Sequence, residues 1–470
     1  MKRRTLCILG IAFGAAVLGM IAFALLLDSR YPTTFSLNTS VTPSQKLELT
    51  VPPQLAIVME ENHQLIDDDS VTLSGKTNYQ SLTISVDNQK LDTIKVRNQT
   101  FSYKLELSKL STGWHYISID RLARGTQSPT EIGIWVHIIP GQPDVLVPRS
   151  IIQEARTING GSKRSYRNDI IDNYAPSSNY FGFNKEHYVE SETLKFDEQG
   201  IPLVLNNGTN WSHNPTTISQ YAFALYNSIE TDASNQELFL NVASWLAEHQ
   251  EEDGSFPYDY EFAYKKDMVI PEGFVSGMGQ GQLLSVYARA YLLTEDAKYL
   301  EAGEKCLEFM TRFYDSPESG TKVTLKDFTD QSALLKPYED YVLYDEYLIK
   351  PETYVLNGNL FALIGLYDWW KSVPESAGAS QAKDAFEQGC AAIEVLLPYY
   401  DYNGYSAYDL LPYTSDYPPY FTSSYAHSCH IYLLHTLAEI TGNPTFQEYY
   451  TRFKAYSDNP FYKQTDQLLP

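Results

Sequence analysis

A carboxylate and a phenol stand side by side in a tyrosine-rich segment of the chain. Glu346 and Tyr347 directly follow Tyr344 and Asp345, and Tyr341 lies a few residues earlier. Carboxyl and phenol groups can both transfer protons when their pKa values are shifted towards neutrality. The same residues could instead form a polar rim, in which the rings pack and the hydroxyl groups face water. The residues alone leave both interpretations open.

Two further groups of residue types could take part in binding. His427 and His430 are spaced i, i+3, so both could bind a metal ion from one face of a helix. No third ligand at a recognised spacing accompanies them, so we predict core or rim histidines and no metal site. Trp211 and His213 precede the first predicted helix of the second half, where Trp211 could stack on a sugar or pack internally.

The overall charge narrows the choice of partner. The chain of 470 residues has 35 Lys and Arg against 58 Asp and Glu, a net charge of −23. Without a basic excess to neutralise phosphates, a nucleic-acid partner is not expected. The length is enough for two or three domains with buried cores.

The N-terminal residues have the pattern of a membrane anchor. Lys2, Arg3 and Arg4 precede an uncharged stretch from Thr5 to Leu27. About 20 apolar residues span a bilayer as a helix, and the positive flank stays in the cytoplasm. A cleaved signal peptide is the alternative, because Ala22–Ala24 has the form of a cleavage site. We predict that residues 1–30 form an uncleaved single-pass anchor, with the rest of the chain extracytoplasmic.

The next part of the chain has the alternation of β-strands. From about residue 35 to residue 140, short runs rich in β-branched and aromatic residues are separated by turn residues. This spacing predicts an Ig-like β-sandwich over residues 35–140. Pro140–Pro143 is interpreted as a linker, and residues 141–210 as connecting strands and loops.

The periodicity becomes helical after Pro215, and it repeats. Small and aromatic residues mark the first helix of each couple, and turns rich in Asp, Gly and Tyr follow three of the couples. The couples are Ile218–Tyr226 with Asn235–Gln250, Gly279–Leu293 with Ala297–Phe313, Gly358–Lys371 with Ser380–Leu397, and Ser428–Thr441 with Thr445–Ser457. Repeats of this kind bury their apolar faces by stacking. We therefore predict an all-α α/α toroid with short β elements over residues 211–470, with a tyrosine-lined cleft.

Ordered motifs in this region resemble a known family. They are Phe196–Pro202, Asn214–Tyr221, Gly277–Gln282 with Arg289–Leu292, Tyr344–Tyr347, Tyr354–Gly358 with Ile364–Asp368, Ala407–Leu410 and His427–Ile431. In this order they resemble the C-terminal domain of heparosan D-glucuronyl C5-epimerases, over about residues 195–458. The predicted anchor and the N-terminal strands lie outside the resemblance.

The resemblance implies inversion of D-glucuronate to L-iduronate within a polysaccharide, without an organic cofactor. The C5 proton is a poor acid, so cationic or hydrogen-bonding groups must first neutralise the adjacent carboxylate. One group then removes the proton from one face of the sugar, and another returns a proton on the opposite face. A tyrosine that acts as the base at pH 7 needs a lowered pKa.

The resemblance also implies which residues serve this chemistry. The catalytic residues of the family pattern fall on Glu346, Tyr347, Tyr408 and Tyr425. Substrate contacts are expected from Trp211, His213, Tyr344, Asn357, His427 and Arg289.

The chain departs from the family pattern at two positions. Leu411 stands where the family has an arginine that can meet the substrate carboxylate, and Ala426 separates Tyr425 from His427. The cation would then have to come from another residue. The candidates are Arg289, Lys265, Lys266 and Lys350.

Three other functions remain open at this point. A polysaccharide lyase begins with the same proton abstraction and then expels the 4-linked sugar. A glycoside hydrolase would need a second carboxylate near Glu346, such as Asp259, Glu261 or Asp409. The third is an inactive carbohydrate-binding homologue. The expected partners are an anionic uronate-containing polysaccharide, the membrane through the N-terminal helix, and a second copy of the chain in a homodimer.

Overall fold

The chain divides into two compact units, residues 1–154 and residues 155–470. The structure, a computed structural model, describes residues 33–38, 46–51, 70–77, 80–86, 89–106, 109–110, 113–121, 132–139, 142–148, 169–189, 191, 194–206, 210–265, 267–314, 319–330, 336–401, 406–415, 417, 420–422 and 424–458. Within those residues, no helix has the length and apolar character needed to cross a bilayer. The predicted anchor, residues 1–30, lies outside them.

The described part of the first unit consists of β-strands. They are β1 (Thr33–Asn38), β2 (Lys46–Val51), β3 (Ser70–Thr77), β4 (Ser81–Val86), β5 (Gln89–Lys95), β6 (Thr100–Glu106), β7 (Gly113–Arg121), β8 (Ile132–Ile139) and β9 (Gln142–Pro148). One antiparallel sheet has the order β1-β2-β3-β6, and the other has the order β5-β4-β7-β8-β9. The assignment of these sheets as Ig-like stays a prediction.

The buried residues of the first unit follow the predicted alternation. In β4, Leu82 and Ile84 are fully buried, and in β7, Ile117 and Ile119 are buried in the same way. Successive side chains of a strand point to opposite faces, so each sheet buries one face. This is the reason that a period of two could be recognised in the sequence.

The first unit extends beyond its predicted end. Strand β9 pairs with β8 in the same sheet, with Trp135 opposite Val147 and Val136 opposite Leu146. The segment Pro140–Pro143, interpreted above as a linker, therefore joins two neighbouring strands of one sheet. Proline and glycine mark turns within a domain as well as linkers between domains, so composition could not separate the two cases. The other predicted domain limits stay predictions.

The described part of the second unit is mainly helical. Its elements are α1 (Lys185–Val189), β10 (Leu194–Phe196), β11 (Pro202–Asn206), β12 (Asn210–His213), α2 (Pro215–Asn227), α3 (Ser234–His249), β13 (Phe262–Lys265), β14 (Met268–Ile270), α4 (Gly277–Thr294), α5 (Ala297–Met310), β15 (Lys322–Thr324), α6 (Lys326–Thr329), β16 (Val342–Tyr344), α7 (Leu356–Ser372), α8 (Ala379–Tyr400), α9 (Leu411–Thr414), α10 (Ser424–Thr441) and α11 (Pro444–Asp458). Strands β10, β11 and β12 form one antiparallel sheet. The antiparallel strand pairs β13–β14 and β15–β16 lie between successive helix pairs.

The four predicted helix pairs are confirmed. They are α2 with α3, α4 with α5, α7 with α8, and α10 with α11. The first helix of each pair packs on the first helix of the next, α2 on α4, α4 on α7, and α7 on α10. Helices α4 and α7 are buried along most of their length, as expected for central helices that are apolar all round. Closure of the pairs into a toroid stays a prediction.

Local signals start the helices and permit their close contact. The side chain of Asn214 caps α2 by accepting the Thr217 N–H at 2.9 Å. At the contact of α4 with α7, a Cβ added to Gly365 would lie 2.0 Å from the carbonyl oxygen of Gly281. Only residues without side chains allow the two backbones to approach this closely.

Candidate active site

Asp345 holds the backbone that carries Glu346. This residue is fully buried, and its carboxylate accepts the N–H groups of Glu346 at 2.9 Å, Tyr354 at 2.8 Å and Val355 at 3.0 Å. The Asn359 side chain donates to it as well, at 3.2 Å. Burial raises the pKa of Asp345 to about 6, although these hydrogen bonds oppose the shift. Asp345 therefore orients the backbone of Glu346. The carboxylate oxygens of Asp345 already accept hydrogen bonds from the protein.

The first turn of α7 packs directly against Glu346. A Cβ added to Gly358 would lie 2.5 Å from the Glu346 Oε2, so glycine is required for this contact. The N–H of Leu356 donates to the Tyr408 carbonyl at 3.0 Å. The start of α7 thus brings the segment of Tyr408 beside Glu346.

Glu346, Tyr347 and Tyr408 form one cluster. The Tyr408 hydroxyl donates to the Glu346 carboxylate, with both oxygens at 3.5 Å. The Tyr347 hydroxyl interacts with both of these groups, and its ring stacks on Phe262 at 5.1 Å and contacts the Tyr264 ring at 4.8 Å. Glu346 is 8% exposed, whereas Tyr347 and Tyr408 are partly exposed, so the cluster opens towards solvent. Their catalytic role stays a prediction.

The electrostatics of the cluster favour a carboxylate base and protonated phenols. Burial raises the pKa of Glu346 to about 7, Asp345 adds to the rise, and hydrogen bonds from Tyr347 and Tyr408 oppose it. Burial of the hydroxyl groups and the charge of Glu346 raise the pKa values of Tyr347 and Tyr408 well above 10. The expectation that a tyrosine base has a lowered pKa is therefore not met here.

Tyr425 lies at the edge of the cluster, in the first turn of α10. Half of its surface is exposed. Its hydroxyl is close to Cys429 and Tyr188, and burial there, together with the charge of Glu346, raises its pKa. Ala426 separates Tyr425 from His427 in the sequence, and the catalytic role of Tyr425 stays a prediction.

A second polar group adjoins the cluster. Lys265 and Asp409 were candidates from the sequence, whereas Tyr264 and Tyr420 were not. The Tyr264 hydroxyl donates to Asp409, and Lys265 Nζ lies 3.8 Å from the Asp409 Oδ2. Lys265 Nζ also lies 4.4 Å from the centre of the Tyr420 ring. The alternation of aromatic residues at Phe262 and Tyr264 in β13 is the signal that could have identified one face of this hairpin.

Arg289 does not reach the cluster. Its guanidinium is fully buried, donates to Asp368 at 2.6 Å and to the Tyr174 hydroxyl at 3.0 Å, and lies over the Tyr180 ring at 4.9 Å. The prediction that Arg289 binds substrate is therefore wrong. Its position in the middle of the buried helix α4 places it in the core, where it neutralises a buried carboxylate.

Tyr344 and His427 are also core residues. The Tyr344 hydroxyl donates to the Ala385 carbonyl of α8 at 3.2 Å. The ring nitrogens of His427 contact Ser406 at 2.9 Å and Ser457 at 3.1 Å. Both predicted substrate contacts are corrected, because these side chains are buried against protein partners.

Trp211 and His213 contact other residues of their own region. Lys195 Nζ lies 4.2 Å from the centre of the Trp211 ring. His213 Nε2 lies 3.0 Å from Asp197, and its ring packs on Trp245. Their role in substrate binding stays a prediction.

The remaining candidate substrate-binding residues differ in their surroundings. Asn357, next to Gly358, has a buried Oδ1 that accepts no hydrogen bond within the described residues, so it stays a candidate for a sugar hydroxyl. Lys350 lies 2.6 Å from Glu352 and 3.4 Å from Asp327. Lys266 lies outside the described residues.

One group outside the cluster has the residue types of a metal site. Ligand atoms of Asp172, His435 and Glu439 lie within 4.8 Å of one another in the described part of the chain. His435 is ten residues beyond Tyr425 in α10, which corresponds to about 15 Å along a helix. This group is therefore separate from Glu346.

The second unit thus combines successive helix pairs with a buried carboxylate that contacts two phenols. Residues 250–455 match the family described as D-glucuronyl C5-epimerase, C-terminus. The match falls within the region of the resemblance noted above and confirms that resemblance.

A relative of known activity is similar to only part of the chain, and the solved structures are only distantly similar to it. D-glucuronyl C5-epimerase of Caenorhabditis elegans is 29% identical over 229 residues, which are 47% of this chain and 35% of the relative. The match thus spans about a third of that relative's length.

Two solved structures align over most of the chain at low similarity. A polysaccharide lyase has 11% identity and a TM-score of 0.29, covering 84% of this chain and 46% of its own. A family 76 glycoside hydrolase from a bovine Bacteroides thetaiotaomicron strain has 10% identity and a TM-score of 0.35, covering 85% and 88%. At such scores, neither structure supports an argument.

Proposed function

We propose that the protein is an epimerase that inverts C5 of D-glucuronate residues, giving L-iduronate, within an exported or cell-surface polysaccharide. The observation that carries the proposal is the cluster of Glu346, Tyr347 and Tyr408 inside the region of the family match. The proposal includes an α/α toroid that carries the cluster, an Ig-like sandwich before it, and an anchor at residues 1–30 that keeps both outside the cytoplasm.

In the proposed reaction, the Glu346 carboxylate removes the C5 proton. The electron pair of the C5–H bond passes into the sugar carboxylate, which becomes an enolate. The Tyr408 hydroxyl then donates its proton to the opposite face of C5 and becomes a phenolate. The sugar ring has to enter between the two groups for this transfer, because they contact one another directly in the described state.

The same contact can reset the site after each turnover. Glu346 ends the reaction as a carboxylic acid, and Tyr408 ends it as a phenolate. When the product has left, a proton can pass between them along the 3.5 Å contact. The pKa values favour this direction, because the phenol of Tyr408 holds its proton far more tightly than Glu346 does.

Heavy water tests the proposal directly. The purified chain is incubated with heparosan in heavy water, and the polymer is analysed by NMR and by chain length. We expect deuterium at C5, L-iduronate residues and unchanged chain length. Shortened chains with the ultraviolet absorbance of an unsaturated uronate would identify a lyase instead. Binding without any exchange would identify an inactive homologue, and either result contradicts the proposal.

The rate should follow the ionisation of Glu346. Because a base must be deprotonated and the pKa of Glu346 is about 7, the initial rate should fall about tenfold per pH unit below about pH 6 and level off above about pH 8. The phenols stay protonated over this range because their pKa values lie well above 10. Initial rates of deuterium exchange between pH 5 and pH 9 measure this dependence. Any residual exchange rate of Glu346→Gln should lack this pH dependence. A midpoint of the wild-type rate profile near the ordinary pKa of glutamate would contradict the assignment of Glu346 as the base.

A further inference from the structure

An anionic sugar needs a cation in a site that is itself acidic. The site contains the buried carboxyl groups of Asp345, Glu346 and Asp409, and the chain as a whole carries a net charge of −23. The overall field therefore repels a polyanion, and attraction depends on a local positive charge. Leu411, at the position where the family pattern has arginine, is fully buried, and its N–H donates to Asp409 at 3.3 Å.

Three other cations among the described residues are paired with carboxylates elsewhere. Arg289 is buried against Asp368, and Lys350 lies 2.6 Å from Glu352. Arg452 donates to Asp401 at 2.8 Å through Nε and lies 2.7 Å from it through Nη2. Lys265 differs from these three cations, because its Nζ lies 3.8 Å from the Asp409 Oδ2. Charge-assisted hydrogen bonds between ammonium and carboxylate groups are about 2.7–2.9 Å long, so the donors of Lys265 are not used by this ion pair.

Two tyrosines connect Lys265 to the catalytic cluster. Its Nζ lies 4.4 Å from the centre of the Tyr420 ring, and this ring packs against Tyr408 at 5.2 Å. Its Nζ also lies 5.0 Å from the Tyr264 ring, which packs against Tyr347 at 4.8 Å. The side chain of Lys265 is 22% exposed, so a ligand in the cluster can reach the ammonium group.

We propose that Lys265 binds the carboxylate of the uronate residue whose C5 is inverted, in the role that the family pattern gives to an arginine at the position of Leu411. This inference rests on the proposed function. The ammonium group stabilises the negative charge that grows on the sugar carboxylate when Glu346 removes the proton. Asp409 positions the lysine, while Tyr264 and the Leu411 N–H satisfy the Asp409 oxygens.

The test compares Lys265→Met with Lys298→Met as a matched control. Lys298 Nζ is also 3.8 Å from an aspartate, Asp296, and 4.9 Å from the centre of a tyrosine ring, Tyr299. The probes are heparosan and carboxyl-reduced heparosan, a neutral polymer of the same linkage. Affinity for each polymer and the rate of C5 deuterium exchange on heparosan are measured for the full chain. Lys265→Arg and Lys265→Gln accompany the methionine variant, so the test does not depend on one variant folding.

The wild type should bind heparosan more tightly than the reduced polymer. Lys265→Met and Lys265→Gln should remove this preference and slow exchange by about 100-fold or more, as expected for the loss of a group that stabilises transition-state charge. Lys265→Arg should retain the preference, and Lys298→Met should behave as the wild type.

The two proposals fail in different ways. An unchanged preference for the carboxylated polymer in both neutral variants would overturn the role of Lys265, even if the wild type is an active epimerase. A wild type that shows the Lys265-dependent preference but no exchange at C5 would overturn the proposed function and leave the carboxylate site in place.

Discussion

Replacing Tyr408 with phenylalanine is expected to slow the inversion of D-glucuronate by about 1,000-fold, within the range that general acid–base groups contribute. The substitution removes the hydroxyl that contacts both oxygens of Glu346 and keeps the ring that packs on Tyr420. Without a donor on the second face, Glu346 can only return the proton to the face from which it came. Exchange of deuterium into D-glucuronate should therefore fall much less than the formation of L-iduronate, and NMR measures both.

Tyr344→Phe is the control for this experiment. Tyr344 lies two residues before Glu346 and was expected from the sequence to contact substrate, but its hydroxyl donates to the Ala385 carbonyl in the core. Its replacement should leave the inversion rate within about twofold while lowering the free energy of unfolding by about 1 kcal/mol. If Tyr408→Phe inverts glucuronate as fast as Tyr344→Phe does, Tyr408 is not the proton donor.

Replacing Arg289 with methionine is expected to lower the free energy of unfolding by about 3–5 kcal/mol. The substitution leaves the carboxylate of Asp368 buried without its cation, 2.6 Å from where the guanidinium lay. Both side chains are fully buried, so water cannot replace the lost partner. Urea unfolding of the full chain, followed by tryptophan fluorescence, measures the change.

Two further variants distinguish the effect of losing a buried ion pair from the effect of losing an exposed one. The double variant Arg289→Met with Asp368→Leu should recover much of the loss, because no unpaired charge remains. Lys383→Met removes an exposed i, i+4 pair with Glu387 at 3.5 Å and should cost less than about 1 kcal/mol. Equal destabilisation by Arg289→Met and Lys383→Met would contradict the core role of Arg289.

The raised pKa of Glu346 has a cost in stability. The folded state holds its proton more tightly than the unfolded chain, so stability falls as the pH rises from about 4.5 to about 7. Glu346→Gln should therefore raise the free energy of unfolding at pH 8 by about 1–3 kcal/mol while it abolishes proton abstraction. Urea unfolding at pH 4.5 and pH 8 measures the difference. A variant no more stable than the wild type at pH 8 would contradict the raised pKa of Glu346.

The sequence alone determined the four helix pairs of the second unit and its resemblance to a known family. Helix periodicity and caps such as Asn214 depend on neighbouring residues, so the pattern of the chain displays them. The order of short motifs likewise identified the segments that carry Glu346, Tyr347 and Tyr408. Composition failed at Pro140–Pro143, where one pattern fits both a linker and a turn between paired strands. The expected substrate contacts failed at Arg289, Tyr344 and His427, which are core residues.

Only the tertiary structure decided which charges face the site and which lie in the core. Asp345 and Glu346 are adjacent carboxylates of similar chemistry. Asp345 nevertheless accepts backbone N–H groups, whereas Glu346 contacts two phenols. Arg289 and Lys265 are both cations of the second unit, and only Lys265 lies beside the cluster. These assignments depend on contacts between residues far apart in the chain, such as Lys265 with Asp409, and local sequence patterns carry no information about such distances.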